Sequence, residues 1–255
     1  MLTLRRSKWA KDLCDYYGVS PKQALALGTR AKGRRHELPG SSTCQPVSGK
    51  TLEEIWESRP RETEIDLWSF WQEVGAWFSF RQIVHHRRSE FSEILARLPK
   101  QGVVTVVEYG CGVAPVSNWL YEHKLPGQNF RFWLLDVRSE HRQFGTWRLQ
   151  RRRDAAHDYD TTVLMVNPDD VPRCDAVTVL ETFEHLPDPW ATIYRIWRQL
   201  YPGGLLWEDY EVTTPGGPNL AIAQAERPRV MAFLQERFHL LSGNLKDGRR
   251  CWRKR

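Results

Sequence analysis

The sequence holds no apolar run near the roughly 20 residues that a membrane-spanning helix needs, so no membrane span is expected. Its opening, MLTLRRSKWAKD, turns charged before any stretch long enough for a secretory leader, and a cytoplasmic address is expected. Cysteine is sparse: Cys14, Cys44, Cys111, Cys174 and Cys251 are odd in number, scattered and without a CxxC pair. Disulfide frameworks and structural zinc sites need regularly paired thiols, so reduced cysteines are expected instead. No internal repeat and no low-complexity tract is present, which removes solenoid arrays and biased tails.

A chain of 255 residues with 41% hydrophobic content is long enough for one α/β domain plus a smaller accessory region. Net charge is +6, with arginine concentrated in RAKGRR (30–35), RLQRRR (148–153) and RRCWRKR (249–255). Such runs either decorate a solvated surface or attract nucleic acid, an anionic lipid or an acidic small molecule; the solvated surface is the simpler reading. Twelve tryptophans are many for this length, and most are expected in packed positions.

Residues 1–95 read as a helical, basic and aromatic cap, and 96–255 as the main domain. Trp9, Leu13 and Tyr16/Tyr17 recur at helical spacing up to Gly18. Ser20-Pro21 then pairs a capping residue with a first-turn proline, opening a second short helix, PKQALALGTRA. Two helices joined by Gly-Val-Ser resemble a helix-turn-helix, a weak signal without base contacts or a dimer. Residues 36–50 form a Pro/Gly/Ser loop, and Thr51 to Glu54 is a capping-box pattern. Beyond it, Ile65, Trp68 and Trp71 track one helical face within an aromatic stretch that includes Phe70, Trp77, Phe78 and Phe80. That face is expected to pack on the main domain; the same rings could wall an acceptor pocket.

From residue 103 the period changes. VVTVVEYG, FRFWLLDV (130–137), TTVLMVN (161–167), CDAVTVLE (174–181) and GGLLWEDYEV (203–212) are β-rich runs of buried-strand type. Helical segments at 115–124, 140–156 and 188–200 separate them, a further helix is expected over 219–237, and the C-terminal residues suit an antiparallel hairpin. Alternating strands and helices imply right-handed crossovers and a doubly wound, mostly parallel sheet.

The first strand runs into Glu108-Tyr-Gly110-Cys-Gly112-Val-Ala114-Pro115. In a doubly wound sheet this turn borders the ligand site, and its glycines let backbone approach a bound molecule. The dinucleotide fingerprint wants Gly or Ala where Pro115 stands, and Glu108 would repel a pyrophosphate on the following helix. Cationic ligands are favoured there. Asp136 ends the second strand, where a carboxylate can accept from both hydroxyls of a ribose.

The order EYGCGVAP, strand-end Asp136, NPDDVP, CDAVTVLETFEHLPDP and LYPGGLL resembles the class I S-adenosylmethionine-dependent methyltransferases over about residues 100 to 212. S-adenosylmethionine has no phosphate and carries a sulfonium and an ammonium, which suits the acidic turn. The resemblance implies a seven-stranded Rossmann-like sheet with an antiparallel last strand. It also implies Glu108, Gly110, Cys111 and Gly112 at the methionine end and Asp136 and Val137 at the ribose. Asn167 and Pro168 would lie near the adenine, and Leu180 and Glu181 on the sulfonium side. Ala114 departs from the family's third glycine, and Asn167 stands where an aspartate is common.

His185 follows the fourth strand and is a candidate base for an acceptor hydroxyl or amine, helpful rather than obligatory because positioning supplies much of the rate. Glu181, Glu184 and His185 also form an ExxEH pattern, similar to that of small-RNA terminal 2′-O-methyltransferases and quinone-precursor O-methyltransferases. On a helical turn these side chains would share a face and could hold Mg²⁺ or Mn²⁺ with His239. The commoner metal-free site is the preferred expectation. The expected activity is methyl transfer to an O or N atom of a small-molecule acceptor. An RNA methyltransferase with an ExxEH metal site and a non-catalytic cofactor-binding protein are the alternatives. The oligomeric state is not legible.

Overall fold

The computed structural model describes residues 8–24, 52–60, 63–86, 91–211, 219–246 and 248–255. Seven strands form one sheet: β1 (Gly102–Tyr109), β2 (Gln128–Leu135), β3 (Thr162–Val166), β4 (Cys174–Val179), β5 (Leu200–Glu208), β6 (Phe238–Ser242) and β7 (Arg250–Lys254). Their order is β3-β2-β1-β4-β5-β7-β6. Strands β1 to β5 run parallel, and β7 is antiparallel to both β5 and β6. The chain order reverses between β1 and β4, so the crevice at their carboxyl ends is the place where such sheets bind ligands.

Burial follows position. β1, at the centre, is buried over its last six residues, and the β-branched run VVTVV suits a strand covered on both faces. β3 lies at the edge and leaves Leu164 and Met165 exposed, where the sequence suggested a buried strand. β5 starts at Leu200 and stops at Glu208, whereas its run suggested 203–212. The stop has a local cause: the Glu208 carboxylate accepts from the Tyr210 N–H and turns the chain. Helices α5 (Pro115–His123), α6 (Glu140–Ala155) and α7 (Pro189–Gln199) make the crossovers, and α8 (Ala221–Arg237) leads into the closing hairpin.

The N-terminal region contributes α1 (Lys8–Tyr17), α2 (Leu52–Glu57), α3 (Glu64–His86) and, next to β1, α4 (Ser92–Arg97). α1 ends at Gly18, whose φ of +64 glycine adopts without strain. Ser20 and Gln23 cap the next helix reciprocally, as the Ser-Pro start suggested. The remainder of that helix, the basic run 30–35, the loop 36–50 with Cys44, and Thr51 lie outside the described residues. So do the side chains of Trp9, Trp77 and Phe78. Leu13 and Val19 join Phe80, Val113 and Phe144 in one buried cluster, so the face of α1 is spent on the main domain. On α3, Phe70 and Phe80 are core residues, but Ile65 is 73% exposed and does not pack as its spacing suggested.

Several arginines of the described runs are structural. Arg148 is fully buried and its Nε donates to Asp12 at 3.1 Å; Arg152 donates to the same carboxylate at 2.5 Å. Arg151 pairs with Asp15, and Arg153 with Asp154. The run 148–153 therefore staples α1 to α6. In the C-terminal run, Arg250 is buried against Glu208, whose carboxylate also accepts from Trp252 Nε1. Lys254 donates to the Leu200 carbonyl. No described helix is long and apolar enough to cross a membrane.

Candidate active site

A cavity of about 620 Å³ opens at the carboxyl ends of β1, β2, β4 and β5, within the usual range for small-molecule sites. Glu108, Gly110, Cys111, Gly112, Asp136, Val137, Pro168, Leu180, Glu181 and His185 all line it. Asn167 is exposed and is not among the lining residues; Pro168 and Asp169 take its place. His239, on β6, is not among them either.

The turn after β1 is built around its glutamate. Glu108 is buried, and its carboxylate accepts from Val116 N at 3.0 Å, Ser117 N at 2.8 Å and Ser117 Oγ at 2.5 Å. These groups are the free N–H donors of the first turn of α5, the place where a helix otherwise receives a phosphate. Here a side chain fills that anion site from within. Burial pushes the Glu108 carboxyl up to about 7, against the pull of the Ser117 and Val116 donors. Cys111 contributes backbone, its N–H donating to the Leu135 carbonyl; its thiol points into the core, where burial raises its pKa.

Two contacts in this turn need glycine or strain. Gly110 has φ +65, and a Cβ there would meet Thr182 Oγ1 at 2.2 Å. Ala114, where the family has a third glycine, sits in the left-handed region at φ 52, a conformation that costs an L-residue about 1–2 kcal/mol. Across the turn, Gly145 of α6 would place a Cβ 2.5 Å from the Val113 carbonyl carbon, so its absence lets α6 close on the loop.

Asp136 is fixed by backbone donors. Its Oδ2 accepts from Gly112 N and its Oδ1 from Val137 N, both at 2.7 Å. Arg142 bridges the Asp136 and Val166 carbonyls and fixes the ends of β2 and β3. Arg195 pairs with Asp169 at 2.7 Å on the same rim.

The β4–β5 end is different. Glu181 has φ 49, and its N–H donates to Asp209 Oδ1 at 2.5 Å. Phe183–His185 forms a single 3-10 turn, not the helical turn that would present ExxEH on one face. Glu184 is buried, and its Oε2 has no hydrogen-bond partner among the described residues. Burial, then the neighbouring Asp209, Glu181 and Glu211 carboxylates, push its pKa up to about 8. Burial chiefly pushes Asp209 up to about 7. His185 Nε2 lies 3.9 Å from Glu184 Oε1, and its ring packs on Trp71 at 5.3 Å. Among the described residues, no group of three or more His, Cys, Asp or Glu is disposed to hold a metal. Trp68 and Trp71 of α3 also line the cavity, so those two rings wall the pocket while Phe70 packs in the core.

Sequence reasoning missed Thr182, Asp209, Glu211 and Arg195. Gly145 was visible as a lone glycine inside a helical segment, a sign of close packing.

A seven-stranded sheet of this order, with an acidic glycine turn at its switch point, is the Rossmann-like fold of S-adenosylmethionine-dependent methyltransferases. The chain belongs to the methyltransferase-domain family, whose sequence profile matches residues 83–241. No curated protein matches the sequence significantly. Among solved structures, it is similar to magnesium protoporphyrin IX methyltransferase from Synechocystis, solved with S-adenosylhomocysteine. That likeness has 13% identity over 78% of this chain and 91% of the other, with a TM-score of 0.45. An O-methyltransferase from neocarzinostatin biosynthesis, solved with S-adenosylmethionine and 2-hydroxy-5-methyl naphthoic acid, gives 16%, 72%, 60% and 0.48. A Haloferax volcanii protein solved in complex with the Trm112 methyltransferase activator gives 22%, 67%, 76% and 0.47.

Proposed function

We propose that the cavity holds S-adenosylmethionine along the ends of β1 and β2 and transfers its methyl group to an O or N atom of a small-molecule acceptor at the β4–β5 end. The observation that carries this reading is Glu108 seated on the N-terminus of α5. A pyrophosphate has no free N–H cluster to bind there and would face a buried carboxylate at short range. Cationic ligands meet no such obstacle.

When bound, S-adenosylmethionine supplies an electrophilic methyl carbon on its sulfonium. The chain's own residues bind and orient. Gly110, with no Cβ, leaves a cradle against Thr182, and Gly112 and Val137 aim Asp136 so that its remaining lone pairs can accept from ribose hydroxyls. Pro168 and Asp169 offer the adenine side, where Asn167 and Pro168 together were expected. Leu180 and Glu181 flank the reacting carbon. His185, held by Trp71 beside Glu184, is placed to take a proton from the acceptor. Its raised neighbour Glu184 is a second candidate for that task.

Residues 1–95 serve as a cap that shapes the acceptor end, a reading supported by Leu67, Trp68 and Trp71 in the lining. A cytoplasmic setting suits the described cysteines, Cys14, Cys111, Cys174 and Cys251, all free thiols. The RNA reading loses support, because the arginines of 148–153 are taken up by in-chain carboxylates. Calorimetric titration with S-adenosylhomocysteine tests the placement. Asp136→Ala removes a charged acceptor and should weaken binding by about 1.5–3 kcal/mol, or roughly 10–150-fold. Unchanged affinity would show that the ribose lies elsewhere.

A further inference from the structure

The chain carries a net charge of +6, yet its cavity is lined by far more carboxylates than cations. At the β1–β2 end those acids are answered by backbone donors. At the other end Asp209 accepts from the Glu181 N–H, but Glu184 keeps one oxygen unanswered among the described residues. Glu184 is only 5% exposed, lines the cavity and has an Oε2 without a hydrogen-bond partner among the described residues. Thr178 of β4 lines the same cavity at 1% exposure, and its Oγ1 also lacks a partner. Asp209, Glu181 and Glu211 surround Glu184 electrostatically. Facing cations are few: Arg249, itself exposed, acts on Asp209, and His185 stands 3.9 Å from Glu184. Arg195 is taken by Asp169. Leu67, Trp68 and Trp71 close the space with an apolar, largely aromatic wall.

Buried carboxylates are kept only when something pairs with them. An alcohol would bring one donor and no charge. An ammonium brings up to three donors and a full positive charge, and aromatic faces attract it. We propose that this end of the cavity receives the methyl acceptor as a basic amine on a flat apolar body, its nitrogen held by Glu184 and Asp209 beside the Trp68 and Trp71 wall.

This deepens the methyltransferase reading and rests on it. The bound ammonium gives one proton to the Glu184 carboxylate, freeing the nitrogen lone pair. That pair forms the new N–C bond as the donor's carbon–sulfur bond breaks, and the positive charge passes from sulfur to nitrogen. A second proton then leaves to solvent, and the product is the methylated amine.

The test is calorimetric titration of the full chain, saturated with S-adenosylhomocysteine, with 2-phenylethylamine and with 2-phenylethanol. The amine should bind at least tenfold more tightly than the alcohol, and Glu184→Gln should remove most of that preference while the melting transition stays cooperative. Equal binding of the two probes, binding of neither, or a preference that survives Glu184→Gln would overturn the proposal. The wild-type comparison decides even if the variant does not fold. Failure of S-adenosylhomocysteine itself to bind would bring down the methyltransferase reading as well; its binding without an amine preference sinks this inference alone.

Discussion

Glu108 and Glu184 are both buried glutamates that follow or end a central strand, and both border one cavity, yet their surroundings are opposite. Glu108 receives three hydrogen bonds from the first turn of α5. Glu184 leaves one oxygen with no partner and has three other carboxylates acting on it. The first acid is part of the scaffold and shapes the cofactor end by occupying the anion site. The second keeps one oxygen unpaired among the described residues, which is what a group that meets its partner on a ligand would show. Burial alone does not distinguish a structural acid from a functional one; the donors around it do.

The largest effect that could break this contrast is on stability. Glu108→Gln places an amide NH₂ against backbone N–H donors and should cost about 2–3 kcal/mol in denaturant unfolding. Glu184→Gln, which replaces a buried carboxyl with one oxygen unpartnered among the described residues, should cost less than about 1 kcal/mol. Equal losses would mean the two acids are not different in kind. Next in size, Gly110→Ala should destabilise by about 1–3 kcal/mol, since its Cβ would overlap Thr182 and its φ is positive. A wild-type melting temperature in that variant would show that the β1 turn and the β4 loop are not in contact.

A separate effect, read on the wild-type chain and not as a mutational loss, is a pH dependence. Folded-state values of about 8 for Glu184 and about 7 for Asp209 lie above the ordinary carboxylate range. The folded state then holds these protons more tightly than the unfolded chain. Their contribution is present at pH below about 4.5 and is lost as pH rises toward 7–8, at about 1.4 kcal/mol per pKa unit. Unfolding free energy of the free protein should therefore decline across that window, and Glu184→Gln should flatten its upper part. A profile unchanged by the substitution would contradict the raised value.

Much of the β1–β2 end of the cavity was legible because its information is local. A β-branched strand, a glycine turn and the next helix are consecutive, so EYGCGVAP and the strand-end Asp136 could be placed from the sequence. Asn167 was misplaced relative to the cavity because the sequence does not say which of three loop residues turns inward. The acceptor end was legible only as ExxEH, and the expected helical turn is a 3-10 turn with Glu181 in the left-handed region. Asp209 and Glu211 reach the cavity because β5 pairs with β4, a contact between distant segments that no local pattern announces. The arginine run 148–153 looked like surface because its partners, Asp12 and Asp15, lie more than a hundred residues earlier.

The most direct trial is a pair of calorimetric titrations of the wild-type chain, one with S-adenosylmethionine and one with NAD. A helix terminus already filled by Glu108 predicts saturable heat with the sulfonium nucleoside and none with the dinucleotide. Capture of NAD while S-adenosylmethionine gives no heat would contradict it.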